Sequence, residues 1–175
     1  MKIKYAMKKV LLLCFVTLLF MNCSTDNQEE NDNNYILNVG VSFTILNGSD
    51  EDLLNKNTNN SLNSNQIRLE HLHTNGEYVN YYYEYLDNKY GWDIVTDNSP
   101  YVFVYGNRPF KEFIINNKIT GVIHWNSTER DTIVTELYRT SNLMIKNKVW
   151  VNGELKYDFD NGLVPEIITI KKNHL

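Results

Sequence analysis

Residues 132–159 read TIVTELYRTSNLMIKNKVWVNGELKYDF. Two segments rich in strand formers, Thr132–Tyr138 and Leu143–Val151, are followed by Asn152-Gly153 and by a third segment, Glu154–Phe159, in which Leu155, Tyr157 and Phe159 fall in phase. Branched and aromatic side chains suit a pleated, half-buried surface. Asn-Gly between two such segments marks a two-residue hairpin, because both residues tolerate positive φ. The stretch therefore predicts antiparallel strands, with a hairpin over Leu143–Phe159.

Outward from there the pattern repeats. Leu37, Val39, Val41, Phe43 and Ile45 alternate with Asn38, Gly40, Ser42 and Thr44, which predicts one half-buried strand ended by Asn47-Gly48. The stretch to Asn65 is rich in Asn, Ser and acid around Leu53-Leu54, so a long loop pinned to the core by two leucines is expected, with a short helix as the alternative. Strands over Gln66–His73 and Tyr78–Leu86 flank the turn formers Asn75-Gly76. Shorter strands are expected at Trp92–Val95, Tyr101–Tyr105, Phe110–Ile115 and Ile119–Trp125, and Pro165–Lys171 closes the chain. Short strands with turn signals every 8 to 12 residues or so argue for two packed sheets. The fold class expected is all-β: a two-sheet antiparallel sandwich, immunoglobulin-like or transthyretin-like, of eight or nine short strands. Composition agrees, since Ala6 is the only alanine among 175 residues while Asn contributes 26, which excludes a helical bundle.

The first residues carry an address. Lys2, Lys4, Lys8 and Lys9 precede an uncharged apolar run, Val10–Phe20, the pattern of a secretory signal. The run is too short for the roughly 20 residues of a membrane-crossing helix. It ends in Leu19-Phe20-Met21-Asn22-Cys23, which resembles the looser lipidation box of Bacteroidetes-type lipoprotein precursors; the resemblance implies that Cys23 is acylated and becomes the first mature residue. Residues 1–22 are then a lipoprotein signal peptide, 23–34 the lipidated Cys and an acidic flexible tether, and 35–175 a single β-sandwich domain. Cys14 leaves with the signal, so the mature chain holds one Cys and forms no internal disulfide. Losing residues 1–22 removes four lysines and no acid, which leaves 13 basic against 21 acidic side chains, a balance of −8. Ser24–Asn34 has no apolar residue and cannot pack, so it reads as a solvated tether. It is similar to the acidic export signal of Bacteroidetes surface lipoproteins, which implies the outer membrane or cell surface.

The resemblance extends further. Phe43-Thr44-Ile45-Leu46, Asp52-Leu53-Leu54-Asn55, Asn65-Gln66-Ile67-Arg68-Leu69, Asp131-Thr132-Ile133 and Asn152-Gly153 resemble small Bacteroidetes-type lipoproteins of uncharacterised function. That likeness implies a β-sandwich lipoprotein and carries over no catalytic residue.

Candidate chemistry is sparse. His71 and His73 at i and i+2 share a strand face, as two metal ligands would, and His124 is a candidate third ligand; the plainer reading is polar residues near a turn. Asp50 and Asp52, in the loop Asn47–Asp52, offer hard oxygen ligands for calcium but lack the spacing of a known calcium loop. Otherwise no cofactor is expected. Tyr78, Tyr81, Tyr82, Tyr83 and Tyr85 crowd one segment: Tyr81, Tyr83 and Tyr85 share a face, while Tyr82 looks the other way with Glu84. Outward aromatic rings suit stacking on sugars or on a protein partner. Trp150, out of phase with Val149 and Val151, is a second candidate, so Tyr82, Glu84 and Trp150 form the expected ligand platform. No spacing sets Glu70, Glu84 or Asp93 as the carboxylate pair of a glycosidase, and no nucleophile motif, phosphate loop or basic footprint for nucleic acid occurs.

The function expected is that of a membrane-anchored, cell-envelope binding or scaffolding module, not an enzyme. Its partners are the membrane, through the lipid anchor, and a glycan or an envelope protein. The alternative is an envelope hydrolase or metal-dependent enzyme using His71, His73 and nearby carboxylates.

Overall fold

The structure, a computed structural model, describes residues 36–82, 84, 89–97, 99–106 and 111–172. The signal segment, Cys23, the tether, Tyr83, Tyr85 and Phe110 lie outside the described residues. Among those described, the strands are β1 (Ile36–Asn38), β2 (Val41–Asn47), β3 (Arg68–Leu72), β4 (Tyr78–Asn80), β5 (Trp92–Val95), β6 (Val102–Tyr105), β7 (Lys118–His124), β8 (Arg130–Arg139), β9 (Leu143–Val151), β10 (Glu154–Asp158) and β11 (Ile168–Lys172). They build a seven-stranded sheet in the order β1-β9-β8-β7-β3-β4, with β10 also on β9, and a four-stranded sheet in the order β11-β2-β6-β5. The two sheets pack together, and the fold is an all-β sandwich. No described helix is long and apolar enough to cross a membrane.

The turns form where their residues permit. Asn152 and Gly153 take positive φ, 51° and 84°, as a two-residue hairpin between β9 and β10 requires. Asn116 and Asn117 do the same, at 51° and 60°, ahead of β7. Gly76, at 89°, closes β3 onto β4.

The expected Tyr78–Leu86 strand ends at Asn80, with Tyr81 and Tyr82 beyond it, and four further strand expectations change. The predicted Leu37–Ile45 strand is two strands in two sheets: β1 runs parallel to β9, whereas β2 pairs with β6 and β11. The alternation hides this because Val39 is buried against Ile119, Leu137 and Met144, while Val41, Phe43 and Ile45 enter the main core. Lys146 donates to the Gly40 carbonyl at the crossing (2.8 Å). Secondly, the sheets are mixed rather than antiparallel throughout, because β1–β9 and β11–β2 are parallel, and the described residues form eleven strands rather than eight or nine. Thirdly, Lys111–Phe113 is a 3-10 turn that buries Phe113, not part of a strand over Phe110–Ile115. Finally, a bulge between Leu155 and Tyr157 breaks the phase of β10: Leu155 and Phe159 are exposed and Asp158 is buried.

The loop after β2 is held as expected. Leu53 and Leu54 are buried, and the Leu53 amide donates to the Ile45 carbonyl (2.8 Å). At the other end of the hairpin sheet, the Asp158 carboxylate accepts from the Asn161 side-chain amide (2.7 Å) and backbone N–H (3.3 Å), with Lys148 at 3.6 Å. The Asn161 side chain, then its backbone N–H and Lys148, hold this carboxyl below its ordinary value, against the opposing effect of burial. A depressed folded-state value means that the contribution is complete above the unfolded value of about 3.9 and is lost as pH falls through the folded one. Asp158→Asn is therefore expected to lower the urea midpoint at pH 7 and to narrow the gap between wild type and variant below about pH 4. A gap that stays constant from pH 7 to pH 3 contradicts this.

Candidate functional site

An aromatic series runs from the core to the surface. Trp125 and Phe103 are fully buried and meet edge to face at 5.0 Å between centroids. Phe103 stacks on Trp92 (5.4 Å), Trp92 on Tyr90 (6.3 Å), and Tyr90 meets Tyr82 at 5.4 Å. The outer two rings, Tyr82 and Tyr90, are 50% and 51% exposed. Each step has a local cause. Trp92 opens β5, the edge strand of the small sheet, and its phase turns it toward Phe103 on β6. Tyr81 is buried while Tyr82 faces out, the alternation that follows β4. Gly91, at φ 72°, lets the chain lie against Tyr81, since a Cβ there would come within 2.6 Å of the Tyr81 ring. Exposed rings braced by buried ones form a preorganised surface, which lowers the ordering cost of binding.

Three adjoining depressions surround this edge and share Arg68. The largest, about 340 Å³, is lined by Ser64, Asn65, Ile67, Arg68, Tyr90 and Trp92. A second, about 190 Å³, lies between Arg68, Leu69, Asn80, Tyr81, Tyr82 and Tyr90. A third, about 220 Å³, is lined by Asn65, Gln66, Arg68, Asn126 and Ser127. Among the described residues Arg68 is the only charged side chain in the three linings, and it forms no ion pair with any of them. Glu70, two residues on along the same face of β3, is engaged by His124 (Nε2 to Oε2, 3.0 Å). The Trp92 indole N–H is buried and has no acceptor among the described residues. Rings, amides, hydroxyls and one free guanidinium make a surface for polar ligands with flat apolar faces.

The other candidates are placed elsewhere. Trp150 lies on the outer face of the large sheet with the Lys118 ammonium 4.8 Å over its ring. Strands β8 and β7 separate β9 from β3, so Trp150 stands about 14 Å across the sheet from Arg68 at about 4.8 Å per strand. The expected trio of Tyr82, Glu84 and Trp150 is thus not one surface: Tyr82 belongs to the aromatic edge, Trp150 does not, and Glu84 is exposed in a turn after β4.

The histidines do not converge. His71 is fully buried, its Nε2 2.9 Å from the Tyr105 hydroxyl. Burial, with Tyr81 nearby, pushes the Tyr105 phenol far above its ordinary value, so it stays protonated. His73 accepts from the Asn75 backbone N–H through Nδ1 (3.2 Å) and meets Phe113 edge to face. His124 and Glu70 point to the face of β3 and β7 opposite His71. Asp50 pairs with Lys171 (2.6 Å). Asp52 accepts the Leu54 N–H on Oδ1 (2.9 Å) and the Tyr101 N–H on Oδ2 (2.7 Å), so it ties the loop to the strand before β6. The described residues contain no group of three or more His, Cys, Asp or Glu placed to hold a metal.

Tyr90, Trp92, Arg68 and Asn65 were not legible as site residues from the sequence. The available signal was Tyr90-Gly91-Trp92, two aromatics about a glycine, which marks a close backbone approach. Compared with protein-family models, curated proteins and solved structures, the chain finds no match.

Proposed function

We propose that this protein is a lipid-anchored, non-catalytic binding module of the cell envelope that recognises glycans through the Tyr82–Tyr90 edge. The observation that carries the binding half is the pair of half-exposed rings, in ring-to-ring contact inward through Trp92, Phe103 and Trp125, beside depressions lined by rings, amides and Arg68. Sugars present flat C–H faces and many hydroxyls, and such a surface meets both. The anchor half rests on the cationic start, the apolar run and Cys23 at its end. One acyl chain binds a bilayer only marginally, whereas two or more hold a protein there.

Two measurements test the reading. Protein purified from cells fed an alkyne palmitate is expected to carry the label and to sediment with membranes, and Cys23→Ser is expected to lose both properties. On a glycan array the detergent-solubilised full chain is expected to retain a defined set of glycans. Tyr82→Ala/Tyr90→Ala is expected to weaken that binding about 5- to 150-fold, from about 0.5–1.5 kcal/mol per ring, with little change in melting temperature. No retained glycan, or retention indifferent to the double variant, overturns the binding half; an unlabelled protein overturns the anchor.

A further inference from the structure

The geometry points to an acidic sugar as the ligand of this edge, with Arg68 as the residue that reads its carboxylate; this deepens the glycan reading and rests on it. Charge sets this edge apart from the rest of the molecule. The full chain has a formal net charge of −4, so its average surface disfavours anions. The concave surface beside Tyr82 and Tyr90 departs from that average. All three depressions touch Arg68, and among the described residues no acidic side chain lines any of them.

A lone guanidinium in such a place has no structural task that the fold displays. Arg68 is exposed at the start of β3, its backbone register opposite His124, and among the described residues its side chain makes neither an ion pair nor a hydrogen bond. The acid that would otherwise neutralise it, Glu70, is held by His124. A planar guanidinium matches a carboxylate with two parallel N–H donors, and such pairs give direction as well as attraction. Tyr90 borders both the 340 Å³ and the 190 Å³ depressions together with Arg68, so one pyranose ring lying on Tyr90 can turn its carboxylate to the guanidinium. Asn65, Ser64 and Asn80 line the same spaces and supply donors and acceptors for the remaining hydroxyls. Neutral sugars would use the rings and amides and leave the arginine without a role.

The test uses matched acidic and neutral oligosaccharides on the detergent-solubilised full chain: tetragalacturonate against its carboxyl-reduced form, oligoglucuronate against its carboxyl-reduced form, and sialyllactose against lactose. Binding is read by calorimetry and by tryptophan fluorescence, since Trp92 is the tryptophan that lines the site. At least one acidic member is expected to bind ten-fold or more tightly than its neutral partner, with the preference shrinking as salt rises. Arg68→Gln is expected to weaken that member about 10- to 100-fold and to weaken its neutral partner far less. Arg68→Lys is expected to fall between, because it keeps the charge and loses the fork. Equal binding of acidic and neutral partners, or a preference that survives Arg68→Gln, overturns the acidic-sugar inference and leaves the glycan reading standing. Failure of every acidic and neutral member to bind overturns both.

Discussion

Lys172→Met is expected to destabilise the fold by about 3–5 kcal/mol, the cost of removing one partner from a buried ion pair. Lys172 ends β11 in the small sheet and is 7% exposed; Asp131 sits in β8 of the large sheet and is 1% exposed. The ammonium lies 2.8 and 2.7 Å from the two Asp131 carboxylate oxygens, with Glu129 at 3.7 Å. Trp125 donates to the same carboxylate (2.5 Å), as does Asn152 (2.7 Å). Removing the ammonium leaves a carboxylate in the interior with two neutral donors and no counter-charge. Removing both charges, in Asp131→Asn/Lys172→Met, is expected to recover much of the loss, because no uncompensated ion is then buried. Urea unfolding of the two variants measures the difference. A single variant within 1 kcal/mol of wild type would show that the pair does not tie the sheets together.

Gly121→Ala is expected to cost about 3 kcal/mol, at the upper end of overpacking. Gly121 lies on β7 and faces Tyr105 across the sandwich; an added Cβ there collides with the Tyr105 hydroxyl and stands 3.1 Å from its Cζ. Tyr105 is fully buried and its hydroxyl is engaged with His71, so the ring has little room to withdraw and the contact with His71 is strained or lost. Tyr105→Phe alone is expected to be destabilising, because it removes a buried hydrogen bond. In the Gly121→Ala background the same change is expected to be much less harmful, or even stabilising, since it removes the colliding atom. A double-mutant cycle from thermal or urea unfolding gives the coupling. Additivity of the two changes would contradict the steric account.

Local rules explain how much of the architecture was legible. Leu143–Val151 and Trp92–Val95 have the bounds expected of them, because strand-forming side chains and a following turn define both. Asn152-Gly153 turns as its residue types require. The Leu37–Ile45 pattern shows the limit: its apolar phase is real, yet Val39 and Val41 bury into different clusters and the chain changes sheets between them. Period-two alternation reports that a residue is covered, and not by which sheet. Phe113 made the same point, since one buried ring in a 3-10 turn resembles one in a strand.

The candidate site was legible only in part. Tyr82 stood out because its neighbour Tyr81 had to face the other way. Trp150 stood out by the same parity argument, and it does face outward, but onto Lys118 and across the sheet from Tyr82. Arg68 and Tyr90 carried no local sign of their role. They matter because β3 of one sheet and the approach to β5 of the other meet at an edge.

The sequence by itself determined that the chain is a sheet protein, where its tight turns lie, and which loop leucines pin it, because propensity, periodicity and positive φ act within a few residues. Only the tertiary structure decided which strands are neighbours, that Asp131 and Lys172, 41 residues apart, neutralise one another, and that Tyr82, Tyr90, Trp92 and Arg68 share one concave edge. Those pairings depend on how two sheets stack, and the free energy that selects one stacking is a property of the whole core rather than of any segment.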